Sequence, residues 1–411
     1  MQMDYEEIKR QLKTELFENI DFSRELRDEE IQDLIDEKIM NLKKEDYIPL
    51  SQKKRLGKEL FFSIRKLDVL QELIEDTEIT EIMVNGPERI FLEKRGRISL
   101  WENKFETREK LEDVIQQIVA KSNRVVNETN PIVDARLENG SRVNVVLAPV
   151  ALNGPIVTIR RFPDNPLTME DLIKTGSITS EVAEFLKKLV VSGYNIFISG
   201  GTGSGKTTFL NVLSKFIPKE ERIITIEDSA ELQLSDIPNL VSLETRNANM
   251  DGCKEITIRD LIKTSLRMRP DRIIVGEVRG GEAVDLLQAL NTGHDGSLST
   301  GHSNSSRDML SRLETMVLMG MDLPLPAIRR QIASGVDIIV HLGRLRDHTR
   351  KVLEIVEITG FENGEIITAP LYEFKEEAGW KEGPVKGALV QTGKLMHEDK
   401  LIFAGMGTCK K

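Results

Sequence analysis

Cysteine is nearly absent from this chain, since only Cys253 and Cys409 occur in 411 residues. Two cysteines cannot form a disulfide framework or a four-thiolate zinc site, so both are excluded. Long apolar runs are also lacking, because no stretch approaches the ~18 apolar residues that a membrane-spanning helix needs. The sequence therefore predicts a globular protein that does not cross the membrane.

Positive charge is not in excess, because the net charge is −10. Nucleic-acid-binding proteins gain much of their affinity from Lys and Arg that neutralise phosphates, so we expect no nucleic-acid partner. A local basic groove remains compatible with this balance. The N-terminus carries Asp4, Glu6 and Glu7 where a secretory signal would carry lysines and then an apolar run, so we expect a cytoplasmic location.

The length exceeds what one hydrophobic core usually supports and favours two or three domains. Residues 1–75 have apolar positions at helical spacing, such as Ile8, Leu12, Leu16 and Ile20, and predict a helical N-terminal appendage. Residues 76–162 form short β-rich runs with one helix near 108–121, which indicates a small α/β domain.

A turn and a linker complete the predicted organisation. Asn139-Gly140 supplies the pair of residues that a two-residue hairpin turn favours, so the runs on either side should be neighbours. Pro163 and Pro166 interrupt regular structure, and residues 163–178 are predicted to be a linker. In residues 179–411 strands and helices alternate, which predicts an α/β nucleotide-binding core ending in antiparallel strands.

A phosphate-binding loop is the strongest motif. Residues 200–207 fit G-x-x-x-x-G-K-[ST] between an apolar strand and a helix, the context that this motif requires. The backbone N–H groups of the loop and the N-terminus of the helix can bind a triphosphate. Lys206 is expected to contact its β- and γ-phosphate oxygens, and Thr207 to offer its hydroxyl to a Mg²⁺ ion. The predicted ligands are ATP and Mg²⁺. The nucleotide-binding residues are Gly200, Gly201, Thr202, Gly203, Ser204, Gly205, Lys206, Thr207 and Thr208.

Acidic residues follow two further strands. Glu277 ends the apolar run 273–275 and is the candidate to orient or activate the attacking water. The preceding position, often an Asp that holds Mg²⁺ through water, is Gly276. The second acidic cluster, Glu227, Asp228 and Glu231, is a candidate for that role and for catalysis, although acids at strand ends are also common as caps.

Histidine and arginine provide the remaining candidates. His294 and His302 flank one short strand, and His302 is the predicted sensor of the γ-phosphate. Arginines stabilise the charge that develops during phosphoryl transfer, often from another domain or subunit, although a surface ion pair is the commoner role for any one of them. The candidates are Arg136, Arg142, Arg160, Arg161, Arg267, Arg269 and Arg279.

The order of these motifs resembles the secretion ATPase superfamily of type II and type IV systems. The similarity spans roughly residues 65–375, and is strongest to the CpaF-like branch that powers Tad/Flp pili. It rests on the phosphate-binding loop, the acidic box 224–232, the segment 266–280 and the histidine box 292–304. The segments 81–87, 134–137, 139–144 and 329–334 also look like that branch.

The resemblance implies a RecA-like core, a PAS-like N-terminal α/β domain and a hexameric ring that docks peripherally on an inner-membrane platform protein. It implies that Lys206 and Thr207 bind phosphate and Mg²⁺, that Glu277 is the catalytic glutamate, and that His302 belongs to the histidine box. Gly301 and Ser303 replace an apolar residue and an alanine expected there, which predicts a looser box.

Two other functions are compatible with the core alone. One is a RecA-like DNA translocase or helicase, against which the acidic balance and the additional boxes argue. The other is a nucleotide-binding scaffold that does not hydrolyse ATP, against which Lys206, Thr207 and Glu277 argue. The favoured prediction is an ATPase motor for pilus assembly or protein secretion.

Overall fold

The computed structural model describes residues 5–20, 24, 26–42, 48–94, 96–122, 124–162, 166–234, 236–246, 254–377, 383 and 385–407. The chain divides into two compact units, Met1–Asp164 and Asn165–Lys411. Residues 163–165 of the predicted linker, Cys253 and Cys409 lie outside the described residues. Among the described helices, none has the length and apolar character needed to cross a membrane.

The first unit begins with helices α1 Tyr5–Asn19, α2 Asp28–Met40, α3 Leu50–Arg65 and α4 Val69–Glu75. The predicted stripe of α1 is buried against α2 and α3, where Ile35 and Leu56 are fully enclosed. Leu70 and Leu73 of α4 pack instead into the core of the following sheet. The helical segment therefore contributes to two cores, because the apolar face of α4 meets β-strands rather than the first three helices.

The rest of the first unit is an antiparallel sheet with helix α5, Arg108–Lys121, packed on it. Its strands, in spatial order β3-β2-β1-β6-β5-β4, are β1 Ile79–Asn85, β2 Ile90–Lys94, β3 Arg97–Leu100, β4 Ile132–Arg136, β5 Arg142–Val146 and β6 Ile156–Arg160. The predicted pairing of the two runs is confirmed, because Ala135 pairs with Val143. The prediction of a two-residue turn is wrong: the N–H of Leu137 donates to the carbonyl of Ser141, so residues 138–140 form the loop, with Gly140 at φ +85°.

The second unit is built on a nine-stranded sheet in the order β15-β14-β13-β12-β7-β11-β10-β8-β9. The strands are β7 Ile196–Gly200, β8 Ile223–Glu227, β9 Leu240–Glu244, β10 Arg272–Val275, β11 Leu298–His302, β12 Ile338–Arg344, β13 Arg350–Glu362, β14 Glu365–Glu376 and β15 Gly387–Gln391. The neighbouring pairs β9–β8, β8–β10, β10–β11, β11–β7 and β7–β12 are parallel. The pairs β12–β13, β13–β14 and β14–β15 are antiparallel.

Helices cover both faces of this sheet. They are α6 Met169–Lys174, α7 Ser180–Val191, α8 Lys206–Ser214, α9 Ile258–Ser265, α10 Ala283–Leu290, α11 Ser306–Gly320, α12 Leu325–Gly335 and α13 Asp399–Phe403. Ile196 and Ile198 of β7 face one apolar layer, and Phe197 between them faces the other. This alternation follows from the two-residue period of a strand and explains why β7 is apolar throughout.

Helix α6 lies within the segment that the sequence indicated as a linker. Thr168 caps its N-terminus, accepting a hydrogen bond from the N–H of Asp171, whose carboxylate accepts one from the N–H of Thr168. Met169 and Leu172 are buried in the core of the second unit. The reciprocal cap and these two apolar contacts make this stretch part of the folded unit.

The parallel strands bring the predicted site residues to one edge of the sheet. Gly200, Glu227 and His302 end β7, β8 and β11, and Glu277 follows β10. The carboxyl ends of parallel strands meet at the same edge, where ligands of open α/β sheets bind. The loop that contains Arg267 and Arg269 precedes β10 and lies at the opposite edge.

Candidate functional site

The phosphate-binding loop connects β7 to α8 and depends on glycine at two positions. A Cβ at Gly200 would lie 2.5 Å from the carbonyl oxygen of Leu342 and 2.6 Å from Oγ of Ser204. Gly205 has φ +93° directly before α8, a backbone region that favours glycine. The Ser204 hydroxyl donates to the carbonyl of Gly201 at 2.8 Å and holds the loop closed upon itself.

Lys206 is a buried lysine, only 7% exposed, at the first position of α8. Its ammonium group donates to the carbonyl of Gly201 at 3.0 Å and lies 3.2 Å from Nδ1 of His302. Burial lowers the pKa of Lys206. Since an ammonium group has only donors, Nδ1 of His302 is the acceptor and the ring proton is on Nε2.

His302 links Lys206 to the carboxylate of Glu277. Its Nε2 lies 2.7 Å from Oε1 of Glu277. Burial lowers the pKa of His302, and the neighbouring Lys206 lowers it further against the opposing effect of Glu277. A neutral ring with its proton on Nε2 accepts from the lysine and lies beside the carboxylate, although Oε1 of Glu277 receives no hydrogen bond among the described residues.

Arg279 holds the other oxygen of Glu277. Its Nη2 donates to Oε2 of Glu277 at 2.8 Å, and its Nη1 lies 3.6 Å from Oδ2 of Asp228. Lys206, His302, Glu277 and Arg279 thus form one continuous chain along the edge of the sheet. We call these four residues the polar chain. It extends from the phosphate-binding loop to the acidic box.

Glu227 occupies a different environment from Glu277. It is 4% exposed, and its Oε1 accepts hydrogen bonds from the backbone N–H groups of Glu231 at 2.8 Å and Leu232 at 3.1 Å. Burial raises the pKa of Glu227 to about 7 although these two hydrogen bonds oppose the shift. A Cβ at Gly276 would lie only 2.8 Å from Cγ of Glu227, so the space beside Gly276 belongs to this glutamate.

The histidine box is closely packed at the two positions where the sequence predicts looseness. A Cβ at Gly301 would lie 2.9 Å from Cε1 of Phe197 and 3.0 Å from Cε of Met309. The Ser303 hydroxyl donates to the carbonyl of Ser305 at 2.9 Å. Large neighbours thus fill the volume that a bulkier residue at 301 would take.

The arginines of the second unit separate into two groups. Arg279 belongs to the polar chain. Arg267 turns back on α9 and donates to the carbonyl of Lys263 at 3.1 Å, while the exposed Arg269 has φ +54° in the loop before β10. The structure therefore does not bring Arg267 or Arg269 to the phosphate-binding loop of the same chain.

The arginines of the first unit also separate. Arg136 pairs with Arg142, and Arg142 pairs with Arg160, so these three lie side by side across β4, β5 and β6. We call them the arginine row. Arg161 faces away from the row and donates to the backbone carbonyl of Asp76. Like charges directly opposite one another in a sheet repel, and Glu81, which pairs with Arg160 across β1 and β6, offsets part of the charge of the row.

Sequence reasoning missed two arginines beside the phosphate-binding loop. Nε of Arg350 donates to the carbonyl of Gly203 at 2.8 Å. Arg344, its partner across the β12–β13 hairpin, has Nη1 3.9 Å from where a Cβ at Gly203 would lie. No local motif marks them, because their position depends on β12 pairing with β7, which brings Leu342 beside Gly200.

The residues at this edge fit a Mg²⁺ ion that is bound mainly by nucleotide phosphates. Thr207 follows Lys206 in the first turn of α8, and Asp228 is connected to Glu277 through Arg279. Over the described ranges, no three His, Cys, Asp or Glu side chains cluster as a metal site of protein ligands alone would require. Mg²⁺ commonly needs only one or two protein oxygens besides waters and phosphates.

Comparison with known proteins gives a family match over most of the chain. The family model described as Type II/IV secretion system protein matches residues 64–379. An uncharacterized protein of Methanocaldococcus jannaschii is 44% identical over 252 residues, which cover 59% of this chain and 35% of that protein. This chain therefore spans about a third of the length of that relative. The conjugal transfer protein TrbB of Rhizobium radiobacter is 33% identical over 77% of this chain and 96% of its own length.

A solved structure supports the fold. The Legionella pneumophila ATPase DotB matches with a TM-score of 0.51 and 20% identity, covering 70% of this chain and 79% of that one. The predicted α/β fold with a RecA-like phosphate-binding core is confirmed by this likeness together with the observed sheet.

Proposed function

Because the chain belongs to the type II/IV secretion system protein family, we propose that it is a motor that hydrolyses MgATP to power pilus assembly or protein secretion. The observation that carries this proposal is the polar chain, which connects the lysine of the phosphate-binding loop to a carboxylate held by two further groups. A protein that only binds nucleotide has no need of such a carboxylate beside the γ-phosphate position.

In this mechanism the loop N–H groups and Lys206 bind the β- and γ-phosphates. Lys206 exchanges its contact with His302 for the γ-phosphate, and His302 is then able to respond to that phosphate. Thr207 would hold a Mg²⁺ ion, with Glu227 or Asp228 holding it through water, and the ion would supply positive charge against the charge that develops on the phosphates. Glu277 orients the attacking water and accepts its proton, while Arg279 and His302 hold the carboxylate in position. Glu231 positions Glu227 through its backbone N–H.

The cations that complete the site are proposed to come from the arginine row. An open phosphate site on one α/β core needs additional positive charge in the transition state, and domain closure is a common way to bring it. Arg136, Arg142 and Arg160 concentrate such charge on three neighbouring strands. We propose that the active unit is a ring, of six subunits, in which the first unit moves about the segment 162–166 toward the nucleotide.

The motif set favours the CpaF-like branch and hence a Tad/Flp-type pilus. The segments 81–87, 139–144 and 329–334 carry that resemblance outside the core. The corresponding location is cytoplasmic, peripheral at the membrane face, on a membrane platform protein. The relative TrbB is by name a conjugal transfer protein, which fits a role in transport.

Turnover is tested by measuring phosphate release and MgATP binding for the full chain and for Lys206→Ala. We expect hydrolysis by the unmodified chain, and loss of binding or turnover in the variant, because Lys206 contacts the ground-state phosphates. Lys219→Ala is a matched control, since Lys219 is an exposed lysine at the opposite edge of the sheet. Tight MgATP binding without any hydrolysis would favour the scaffold function instead.

The ring is tested by native mass spectrometry with saturating MgATP, on the full chain and on a chain without residues 1–162. We expect a six-subunit mass for the full chain, and slow turnover after the deletion because the arginine row is lost. A monomeric deletion variant that hydrolyses ATP at the full rate would rule out both the ring and the closing arginines.

A further inference from the structure

The hairpin between β12 and β13 extends past the sheet edge beside the phosphate-binding loop. β12 is the parallel neighbour of β7, with Leu342 opposite Gly200, and Arg344 lies two residues further along. The chain then turns and returns through Arg350, which pairs with Arg344. Two guanidinium groups therefore flank the loop from the side opposite to β11.

These arginines form a like-charge pair that the fold does not require. Both are exposed, and residues directly opposite in an antiparallel pair have Cβ atoms about 5 Å apart, where like charges repel. In the part of the chain that the structure describes, no carboxylate lies within salt-bridge distance of either. The next arginine of the hairpin, Arg346, is by contrast paired with the carboxylate of Glu376.

The hairpin holds the pair in a fixed position. The carboxylate of Asp347 accepts hydrogen bonds from the N–H of Thr349 at 2.9 Å, its hydroxyl at 2.7 Å and the N–H of Val385 at 2.6 Å. Although burial raises the pKa of Asp347, these bonds outweigh it and lower the pKa to about 2. The turn is therefore tied internally and to a neighbouring segment, which fixes the backbone from which the two arginine side chains extend.

One bond joins the pair to the loop and leaves most donors available. Arg350 uses its Nε–H on the carbonyl of Gly203, while a guanidinium group has five N–H donors. Forked N–H donors match phosphate oxygens in two places at once. An anion on this flank of the loop would satisfy both arginines and remove their mutual repulsion.

The side of the loop on which Arg344 and Arg350 lie indicates which phosphate of the nucleotide they contact. Lys206, His302 and Glu277 lie on the β10–β11 side of the loop, where the γ-phosphate and the attacking water are proposed to be. The β12–β13 side lies across the loop from these residues, because β12 and β11 are the two neighbours of β7, and a nucleotide with its γ-phosphate beside Lys206 would direct its α-phosphate there. We propose that Arg344 and Arg350 bind the α-phosphate of the nucleotide, the group that ATP and ADP share. This inference rests on the proposed function, because it assumes that nucleotide binds at the loop.

The test is isothermal titration of the full chain with MgATP and, separately, MgADP at fixed ionic strength. We expect Arg344→Ala with Arg350→Ala to weaken both nucleotides by the same factor, about tenfold or more, since charge-assisted contacts to a phosphate common to both are lost. The single variant Arg344→Ala should weaken both as well. Among the described residues, Arg344 makes no hydrogen bond to the loop, so its loss reports a ligand contact rather than loop support.

Arg346→Ala is the matched control, because it removes the same charge from the same hairpin at a residue that Glu376 already pairs. An equal loss in this control, unchanged affinities in the double variant, or a loss confined to MgATP would each overturn the assignment. A full chain that binds neither nucleotide would overturn the proposed function as well. Normal binding by the full chain with normal binding by the double variant would overturn the inference alone.

Discussion

On one flank of the phosphate-binding loop, His302, Glu277 and Arg279 hold one another. On the other flank, Arg344 and Arg350 face each other with no carboxylate within reach among the described residues. In the polar chain each charged group already has a partner, and these partners can change when a γ-phosphate binds. This flank therefore suits the part of the site that must distinguish ATP from ADP. An uncompensated pair of cations suits a part that binds either nucleotide. Variants on the first flank should therefore separate the two nucleotides.

Glu277→Gln should have the largest effect on this comparison. We expect turnover to fall by ~10²-fold or more while MgATP remains bound, because the carboxylate acts on the water in the transition state. Steady-state phosphate release and equilibrium binding measure the two quantities.

Glu220→Gln provides the control, since Glu220 is exposed in the loop before β8 at the opposite edge. Turnover of Glu277→Gln within a few-fold of the unmodified chain would mean that another group activates the water.

His302→Ala should have the next largest effect. Its ring connects Lys206 to Glu277, so we expect about tenfold weaker discrimination between MgATP and MgADP, the size of one hydrogen bond to a charged group. The Mg²⁺ requirement should not change, because His302 is not proposed as a metal ligand. Titration of both nucleotides measures the ratio.

His294→Ala is the control, since His294 lies before β11 and contacts the carbonyl of Ala289. An unchanged ratio of affinities in His302→Ala would reduce this residue to a packing role.

The buried Glu227 should make stability depend on pH. Its pKa is raised to about 7 in the folded chain from an ordinary value of 4.5, so the folded state holds the proton more tightly. That contribution is complete below pH 4.5 and is lost as the pH rises toward and past 7. Glu227→Gln keeps the two accepted hydrogen bonds without the charge. Its melting temperature relative to the unmodified chain should therefore rise between pH 5.5 and 8.

The size of this effect is on the order of 1–3 kcal/mol in the free energy of unfolding. Melting curves of both chains at the two pH values measure it. The same melting-temperature difference at pH 5.5 and 8 would contradict a raised pKa of Glu227.

Gly301→Ala should have the smallest effect, and it tests the packing next to His302 in the polar chain. Its added methyl group meets Phe197 and Met309, and we expect a loss of about 1–2 kcal/mol in the free energy of unfolding. A thermal melt measures the loss, and turnover reports whether the adjacent His302 has moved. An unchanged melting temperature would show that Met309 moves aside without cost.

Much of the fold and part of the candidate site could be predicted from the sequence. The bounds of α5 match the predicted helix near 108–121, and β10 contains the apolar run 273–275, because apolar spacing and flanking turns mark both elements locally. The edge that gathers Lys206, Glu277 and His302 also follows from the order of motifs. Their proposed chemical roles remain predictions.

What the sequence did not predict depends on contacts between distant segments. Arg344 and Arg350 reach the loop only because β12 pairs with β7, and no residue near them signals that pairing. Similarly, the sequence shows only that Gly276 replaces an aspartate that often holds Mg²⁺. The structure shows that Glu227, from another strand, fills the space beside Gly276. Helix α6 was missed because two nearby prolines obscured a short capped turn.

The loop after Glu277 meets the end of α11 through two glycines. A Cβ at Gly281 would lie 2.8 Å from Cα and 3.0 Å from N of Gly320, so the two backbones touch with no side chain between them. Because the two backbones are in van der Waals contact, neither can move toward the other without a clash. Any displacement of the segment that carries Glu277 and Arg279 must also displace the helix end, where Leu318 and Met319 are exposed. A movement of Glu277 at the nucleotide is therefore coupled mechanically, through the contact of Gly281 with Gly320, to a movement of the exposed apolar side chains at the end of α11.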